Sequence, residues 1–234
     1  DLLVFVNSDA FVEVGSLASV LEAFEEEATL GVAGAALTYP DGTPQWSGGR
    51  EPDLAWFLAQ SSGAATMLGR VPGWRRIKPL HGSEASEVGW VSGAAVAVRA
   101  SVWSALGSFE TSYRFYGQDL DFCLRARDRG WRVRLLPRFR VVHHHGATVS
   151  SRGDAIVGNA DLGLLWSDLV LWAGRRHGLS FARRARAAIL LGSGARLFAR
   201  RLASPFLAAS RREEWRQETE ALARARTVLA KRDG

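Results

Sequence analysis

A single cysteine, Cys123, is all that the 234 residues contain, which excludes an internal disulfide framework and is compatible with a reducing compartment. No recognisable pattern supplies it with a His or Asn partner, so the thiol reads as a small buried residue on a helix rather than a nucleophile. No uninterrupted apolar run reaches the roughly 18–20 residues that a membrane span needs, and no basic-then-apolar leader opens the chain. A cytoplasmic location is the expectation. The first residue is Asp1 rather than Met, and it leads directly into the strand-like run LLVFV, so the natural start is expected to lie upstream. Internal repeats, low-complexity segments, Cys or His pairs at zinc spacing and nucleic-acid-binding motifs are all lacking. What is present is ample apolar content: a hydrophobic fraction of 47% suffices for a buried core and excludes a disordered chain.

The formal net charge of +6 is unevenly spread. Residues 175–234 carry 15 Lys/Arg against 5 Asp/Glu, whereas the rest of the chain carries 15 against 19. Basicity is therefore a property of the tail.

Asp1 to Val6 reads as a buried strand of a mostly parallel sheet covered on both faces, because its apolar run shows little alternation. Ser16 is placed to cap a helix whose Leu17, Val20, Leu21 and Phe24 fall on one face, and Val32 to Leu37 follows as a strand. Strand, helix and strand in this order make a parallel crossover. Pro40-Asp41-Gly42-Thr43 is a turn by its chemistry. The stretch from there to about Glu87, rich in Gly, Ser, Trp and Pro with one short helix around Leu54 to Gln60, reads as a functional loop. Val88 to Val98 is strand-like, Ser101 to Leu106 a short helix, and Gln118 to Arg129 a helix closed by Gly130. Trp131 to Leu136 and Phe139 to His143 read as two strands separated by Pro137. Beyond residue 150, Leu162 to Trp172, Phe181 to Phe198 and Phe206 to Ala230 are helical, which predicts an α/β domain over 1–150 and a basic helical extension over 151–234.

Four places carry candidate chemistry. Asn7-Ser8-Asp9 lies at the carboxyl end of a strand, where open α/β sheets bind ligands, and one carboxylate together with diphosphate oxygens suffices for a hard divalent ion. Gln118-Asp119-Leu120-Asp121 opens a helix, where the dipole favours carboxylates. Asp119 is a candidate general base; Asp121, about 200° further round, points elsewhere, so one of the two should face a cleft and the other support structure. His143, His144 and His145 end a strand, with the first and third on one face, and either of those two is a candidate metal ligand beside Asp9. Val91-Ser92-Gly93-Ala94 puts small residues beside the cleft, where Gly93 allows close approach to the backbone. Each of these taken alone has an ordinary structural reading as a cap, a surface histidine or tight packing.

Taken in order, the blocks FVNSDA (Phe5 to Ala10), PDGTPQWSGGREP (Pro40 to Pro52), WVSGAAVAVRASVWSALGSFE (Trp90 to Glu110), YGQDLDFCLRARDRGWRVRLLP (Tyr116 to Pro137) and VVHHHGATVS (Val141 to Ser150) resemble family 2 glycosyltransferases of the GT-A fold, in the rhamnosyltransferase-like branch. The resemblance covers roughly residues 1 to 150. It implies an α/β, Rossmann-like, mostly parallel sheet that lacks its first strands and nucleotide-binding segment. Asp9 matches the last acid of the DxD-type motif that binds Mn²⁺ or Mg²⁺ on the donor diphosphate, with Asn7 in place of the first acid. Asp119 matches the base of the ED motif, with Gln118 standing where the family has Glu. His143 matches a further metal ligand, while Trp90 and Gly93 match the strand lining the sugar pocket; Gln118 and Asp121 are expected near substrate.

The implied activity is an inverting, metal-dependent transfer of a sugar from a nucleoside-diphosphate sugar, with dTDP-rhamnose as first guess, to a hydroxyl of a cell-envelope glycan or lipid-linked acceptor. The stretch given is expected to be inactive alone. A noncatalytic GT-A remnant that binds carbohydrate or a lipid carrier is the alternative, motivated by Gln118 and the missing half. For the basic tail three accounts stay open: a solvated helical face, a surface on anionic lipid at the inner face of the plasma membrane with Trp166 or Trp172 as anchors, and nucleic-acid binding, which is least favoured.

Overall fold

A computed structural model describes residues 1–65, 82, 86–144, 161–206 and 208–231. These divide into two compact units, the first within Asp1–Glu51, Pro79–Ser112 and Gln118–His145, the second within Pro52–Lys78, Tyr113–Gly117 and Gly146–Gly234. The fold is α/β, with a mixed sheet in the first unit and helices in the second.

In the first unit β1 (Leu2–Val6), β2 (Ala10–Val12), α1 (Ser16–Glu26), β3 (Leu30–Thr38) and β4 (Gly48–Gly49) come before α2 (Leu54–Ser62), which belongs to the second. Then follow β5 (Ser86–Glu87), β6 (Trp90–Val91), β7 (Ala95–Arg99), α3 (Ala100–Leu106), α4 (Gln118–Asp128) and β8 (Arg132–His143). The main sheet has the order β1-β7-β3-β8-β2, with β5 also on β8, and β4 pairs with β6 separately. β3 and β8 are parallel, while β7 runs antiparallel to both β1 and β3, so β1, β3 and β8 point the same way. The predicted β1-α1-β3 crossover is present, with β7 inserted between its strands.

Both faces of this sheet are covered. Val20 and Phe24 of α1 pack with Ala33, Ala35, Leu37 and Phe139 on one side. Val102 of α3 and Phe122, Cys123 and Ala126 of α4 pack with Val32, Val96, Val98 and Val133 on the other. Cys123 is buried there, and burial pushes its thiol pKa up to about 12, which keeps it protonated and inert.

Several expectations from sequence need correction. β1 is not buried: it ends the sheet, and Leu3, Val4 and Val6 are 37%, 40% and 40% exposed, because no described strand or helix covers that edge. Ser16 does not cap α1; Gly15, at φ 82°, holds the cap position. The Ser16 hydroxyl instead accepts from the Arg140 N–H (3.1 Å) and donates to the Arg140 carbonyl (3.2 Å). That bond turns the helix so that Ser16, Ser19, Val20 and Phe24 face inward while Leu17 and Leu21 are exposed.

The strand expected over Val88 to Val98 is broken at Ser92-Gly93-Ala94 into β6 and β7. Conversely, Pro137 does not split β8; pairing with β3 jumps from Leu136 to Arg140 across a bulge that absorbs the ring. The Pro40–Thr43 turn forms as expected, with Gly42 at φ 82° and the Asp41 carboxylate accepting from the Thr43 N–H (2.9 Å) and hydroxyl (2.7 Å).

The second unit contains α2, α5 (Leu162–His177), α6 (Leu179–Ala203) and α7 (Ala209–Ala230). Asp53 caps α2 through the Trp56 N–H (2.7 Å), and Asp161 caps α5 through the Leu164 N–H (3.0 Å). Trp166 and Trp172 are 6% and 0% exposed, buried in helix packing, so neither serves as a membrane anchor. Three of the tail's arginines also turn inward. Arg200 pairs with Glu218 (2.7 Å) over the ring of Trp215, Arg186 donates to the Leu229 carbonyl (2.9 Å), and Arg226 donates to the Leu190 carbonyl. Among the described residues no helix is long and apolar enough to cross a membrane.

Candidate active site

β1, β3 and β8 end at the same side of the sheet, and most of the residues singled out from sequence collect there. After β1 the chain turns tightly, with the Asn7 carbonyl accepting from the Ala10 N–H (3.0 Å), and β2 then pairs with β8 so that Ala10 faces His143. The Asp9 carbonyl accepts from the His144 N–H (2.9 Å), and this register brings Asp9 Oδ1 to 3.4 Å from His143 Nε2. His144 turns the other way, its ring 5.3 Å from that of Phe11. His145 lies outside the described residues.

Gln45, which sequence reasoning missed, completes this corner. It follows the Pro40–Thr43 turn and is buried. Its amide NH₂ donates to the Thr38 carbonyl (3.1 Å) and to the His143 carbonyl, while its Oε1 lies 3.0 Å from His143 Nδ1. Burial pushes the His143 pKa below the ordinary histidine value, while the Asp9 carboxylate, by its charge and a hydrogen bond, acts the other way.

Asp119 sits in the first turn of α4. Its Oδ2 accepts from the Gly93 N–H (2.8 Å) and its Oδ1 from the Leu120 N–H (2.8 Å). Burial raises its pKa above the ordinary carboxylate value, against these two amides and its own, which favour the charged form. The space left by Gly93's absent side chain is taken by Asp119 itself: a Cβ there would stand 3.4 Å from the Asp119 Cβ. Asp119 joins the Asp9 corner through backbone, since the residue after Gly93, Ala94, accepts from the Asn7 N–H (2.9 Å). A second link runs from the Ser92 N–H to the Ser47 carbonyl (2.8 Å), two residues from Gln45.

The remaining predicted residues divide. Trp90 stands edge-on to Trp46 with ring centres 5.4 Å apart, and its indole N–H donates to the Arg50 carbonyl (3.0 Å). Asp121 is taken up by Arg125 (2.7 Å), which also reaches the Leu106 and Ser108 carbonyls, so Asp121 ties α4 to the end of α3. Gln118 opens α4, half-buried. A cavity of about 340 Å³ bordered by Arg50, Glu51, Glu87 and Arg127 includes none of these residues.

The donor set at Asp9 suits a hard divalent cation. A neutral imidazole nitrogen and a carboxylate oxygen 3.4 Å apart can occupy neighbouring positions on one ion; two ligands about 2.1 Å from a metal at near-right angles stand about 3.0–3.3 Å apart. Among the described residues no three His, Cys, Asp or Glu converge on one point.

The fold and site thus define an α/β chain with a carboxylate–imidazole pair and a separate half-buried carboxylate at one end of its sheet. No protein-family model matches the chain. It is similar to the N-acetylglucosaminyl-diphospho-decaprenol L-rhamnosyltransferase of Mycobacterium tuberculosis, at 30% identity over 150 residues covering 62% of this chain and 47% of that protein. It is also similar to the O-antigen biosynthesis protein RfbC of Myxococcus xanthus, at 29% identity over 176 residues covering 74% of this chain and 13% of that protein. The chain spans less than half the length of these relatives. A crystal structure of GalNAc-T7 with UDP, GalNAc and Mn²⁺ aligns at a TM-score of 0.40 and 13% identity over 61% of this chain and 27% of that one.

Proposed function

We propose that this chain forms part of an inverting family 2 glycosyltransferase of GT-A type. It transfers a sugar from a nucleoside-diphosphate sugar, dTDP-rhamnose being the first donor to test, to a hydroxyl of a cell-envelope glycan or lipid-linked acceptor. The observation that carries this reading is the gathering of the Asp9–His143 pair and of Asp119 at one end of one sheet, joined through Asn7, Ala94 and Gly93. The relatives, a rhamnosyltransferase acting on a decaprenol-linked sugar and an O-antigen biosynthesis protein, support the same class.

In this reading Asp119 takes the proton of the acceptor hydroxyl, whose oxygen attacks the anomeric carbon while the bond to the donor's diphosphate oxygen breaks. The Gly93 and Leu120 amides hold the carboxylate in place, and its raised pKa makes it a stronger base than an exposed Asp. Asp9 and His143 would hold Mn²⁺ or Mg²⁺, which offsets negative charge gathering on the leaving diphosphate. Trp90, on the short β4–β6 ribbon, would offer an apolar ring face to a sugar.

A lipid-linked acceptor calls for a seat at a membrane, and α6 carries a candidate. Leu191, Phe198 and Leu202 are exposed and fall within about one-eighth of a turn on the helix, with Phe206 just beyond and exposed Arg183, Arg184 and Arg201 around them. In this reading that stripe takes the place of Trp166 or Trp172, the anchors in one of the three accounts that the sequence left open.

Transfer by the native polypeptide, measured with a panel of radiolabelled nucleoside-diphosphate sugars and a polyprenyl-diphosphate-linked acceptor, tests the reading. Asp119→Asn is expected to lower the rate by about 10²- to 10⁴-fold with donor affinity nearly unchanged. Undiminished turnover would remove Asp119 as the base.

A further inference from the structure

We propose that Gln45 is a positioning residue that locks His143 in its Nδ1-protonated form and thereby turns the unprotonated Nε2 toward Asp9. The inference deepens the metal-dependent reading above and rests on it for its purpose, but its argument is hydrogen-bond chemistry alone.

A carboxamide has one end that only donates and one that only accepts. Among the described residues the Gln45 amide nitrogen faces the carbonyls of Thr38 and His143, which are acceptors without a proton to give. The donor end must therefore be that one, and Oε1 is left to face His143 Nδ1 at 3.0 Å. An acceptor oxygen there requires a proton on Nδ1. In a neutral ring the second nitrogen then carries a lone pair, and it is this nitrogen that lies 3.4 Å from Asp9 Oδ1.

Two electron-rich atoms at that separation repel unless a cation lies between or beside them. The same ring with its proton on Nε2 would simply hydrogen-bond Asp9 and close the corner to a metal. Which of these two neutral tautomers the ring adopts is decided by a residue 98 positions away. Such supporting bonds commonly fix the orientation and tautomer of metal-bound imidazoles, and their loss typically weakens metal affinity by roughly 10- to 100-fold. The arrangement is buried, with Gln45 3% and His143 6% exposed, so water competes poorly for either end of the amide.

The test is a long-range ¹H–¹⁵N spectrum of the metal-free chain, with His143 assigned by comparison with His143→Asn, followed by Mn²⁺ titration read from paramagnetic broadening of the ring signals. Gln45→Met removes both ends of the amide at similar volume. Gln45→Glu keeps the acceptor toward Nδ1 and serves where the Met variant does not fold. The wild type is expected to show the Nδ1-protonated form. Gln45→Met should mix the tautomers and raise the Mn²⁺ concentration needed for broadening by roughly 10- to 100-fold, whereas Gln45→Glu should retain the tautomer.

An Nε2-protonated ring in the wild type, or a tautomer unchanged in Gln45→Met, overturns the proposal. A tautomer that depends on Gln45 in a chain that Mn²⁺ does not broaden upholds the role of Gln45. That result would overturn only the metal reading of Asp9 and His143.

Discussion

Asp119 is subject to opposed influences, with burial raising its pKa and the backbone N–H groups of Gly93, Leu120 and Asp119 itself lowering it, and burial wins. A general base must be ionised to work, so the acid limb of the pH–rate profile should lie above the ordinary carboxylate value of about 3.9. The same shift has a sign for stability. The folded state keeps a proton that the unfolded chain releases at the ordinary value, so stability falls as pH rises through that interval. Urea unfolding across pH 4–7 should show this fall in the wild type and a flatter profile in Asp119→Asn. At this scale the placement of Asp9 and His143 at strand ends and of Asp119 at a helix start was legible from sequence because these are local features. Gln45 was not, since its partner lies on a strand 98 residues further on and a buried amide looks like any loop polar residue until the turn folds it over β8. Ser47, two positions later and hence on the same side of an extended segment, was the available hint.

Elements were legible in kind more often than in orientation. The helix at Ser16 formed, yet its inward face was set by a bond to Arg140, 124 residues away, rather than by its own apolar spacing. Similarly, β7 separates from β6 because Gly93 bends to give its N–H to Asp119, a demand invisible in an apolar run. One element contact went unanticipated altogether. Asp168, buried on α5, accepts from the N–H groups of Arg114 (3.3 Å), Phe115 (2.9 Å) and Tyr116 (2.9 Å) and so fixes the segment that leads into Gln118. Asp168→Ala would leave those amides without their acceptor and should cost about 2–4 kcal/mol in denaturant unfolding. Gly34 makes a contrasting prediction, because a Cβ there would collide with Val91 of the neighbouring β6. Gly34→Ala should lower stability by about 1–3 kcal/mol through overpacking, measured the same way.

For the molecule as a whole, composition announced a basic tail but not its division of labour. Arg186, Arg200 and Arg226 knit the helices together, whereas Arg183, Arg184 and Arg201 are exposed beside the apolar stripe of α6. Sedimentation with vesicles should recover the chain in the pellet when phosphatidylglycerol is present, and Phe198→Asp with Leu202→Asp should return it to the supernatant. Equal recovery in the supernatant with neutral and anionic vesicles would dismiss the membrane role.

The flank of β1, which no described strand covers, has a practical outcome at the bench. Leu3, Val4 and Val6 line a row of peptide groups that no described strand pairs, which in this polypeptide is a template on which a second molecule can zip strand to strand. Concentrated preparations of this polypeptide should grow in mass by light scattering, and a lysine at Val4 should keep them monodisperse.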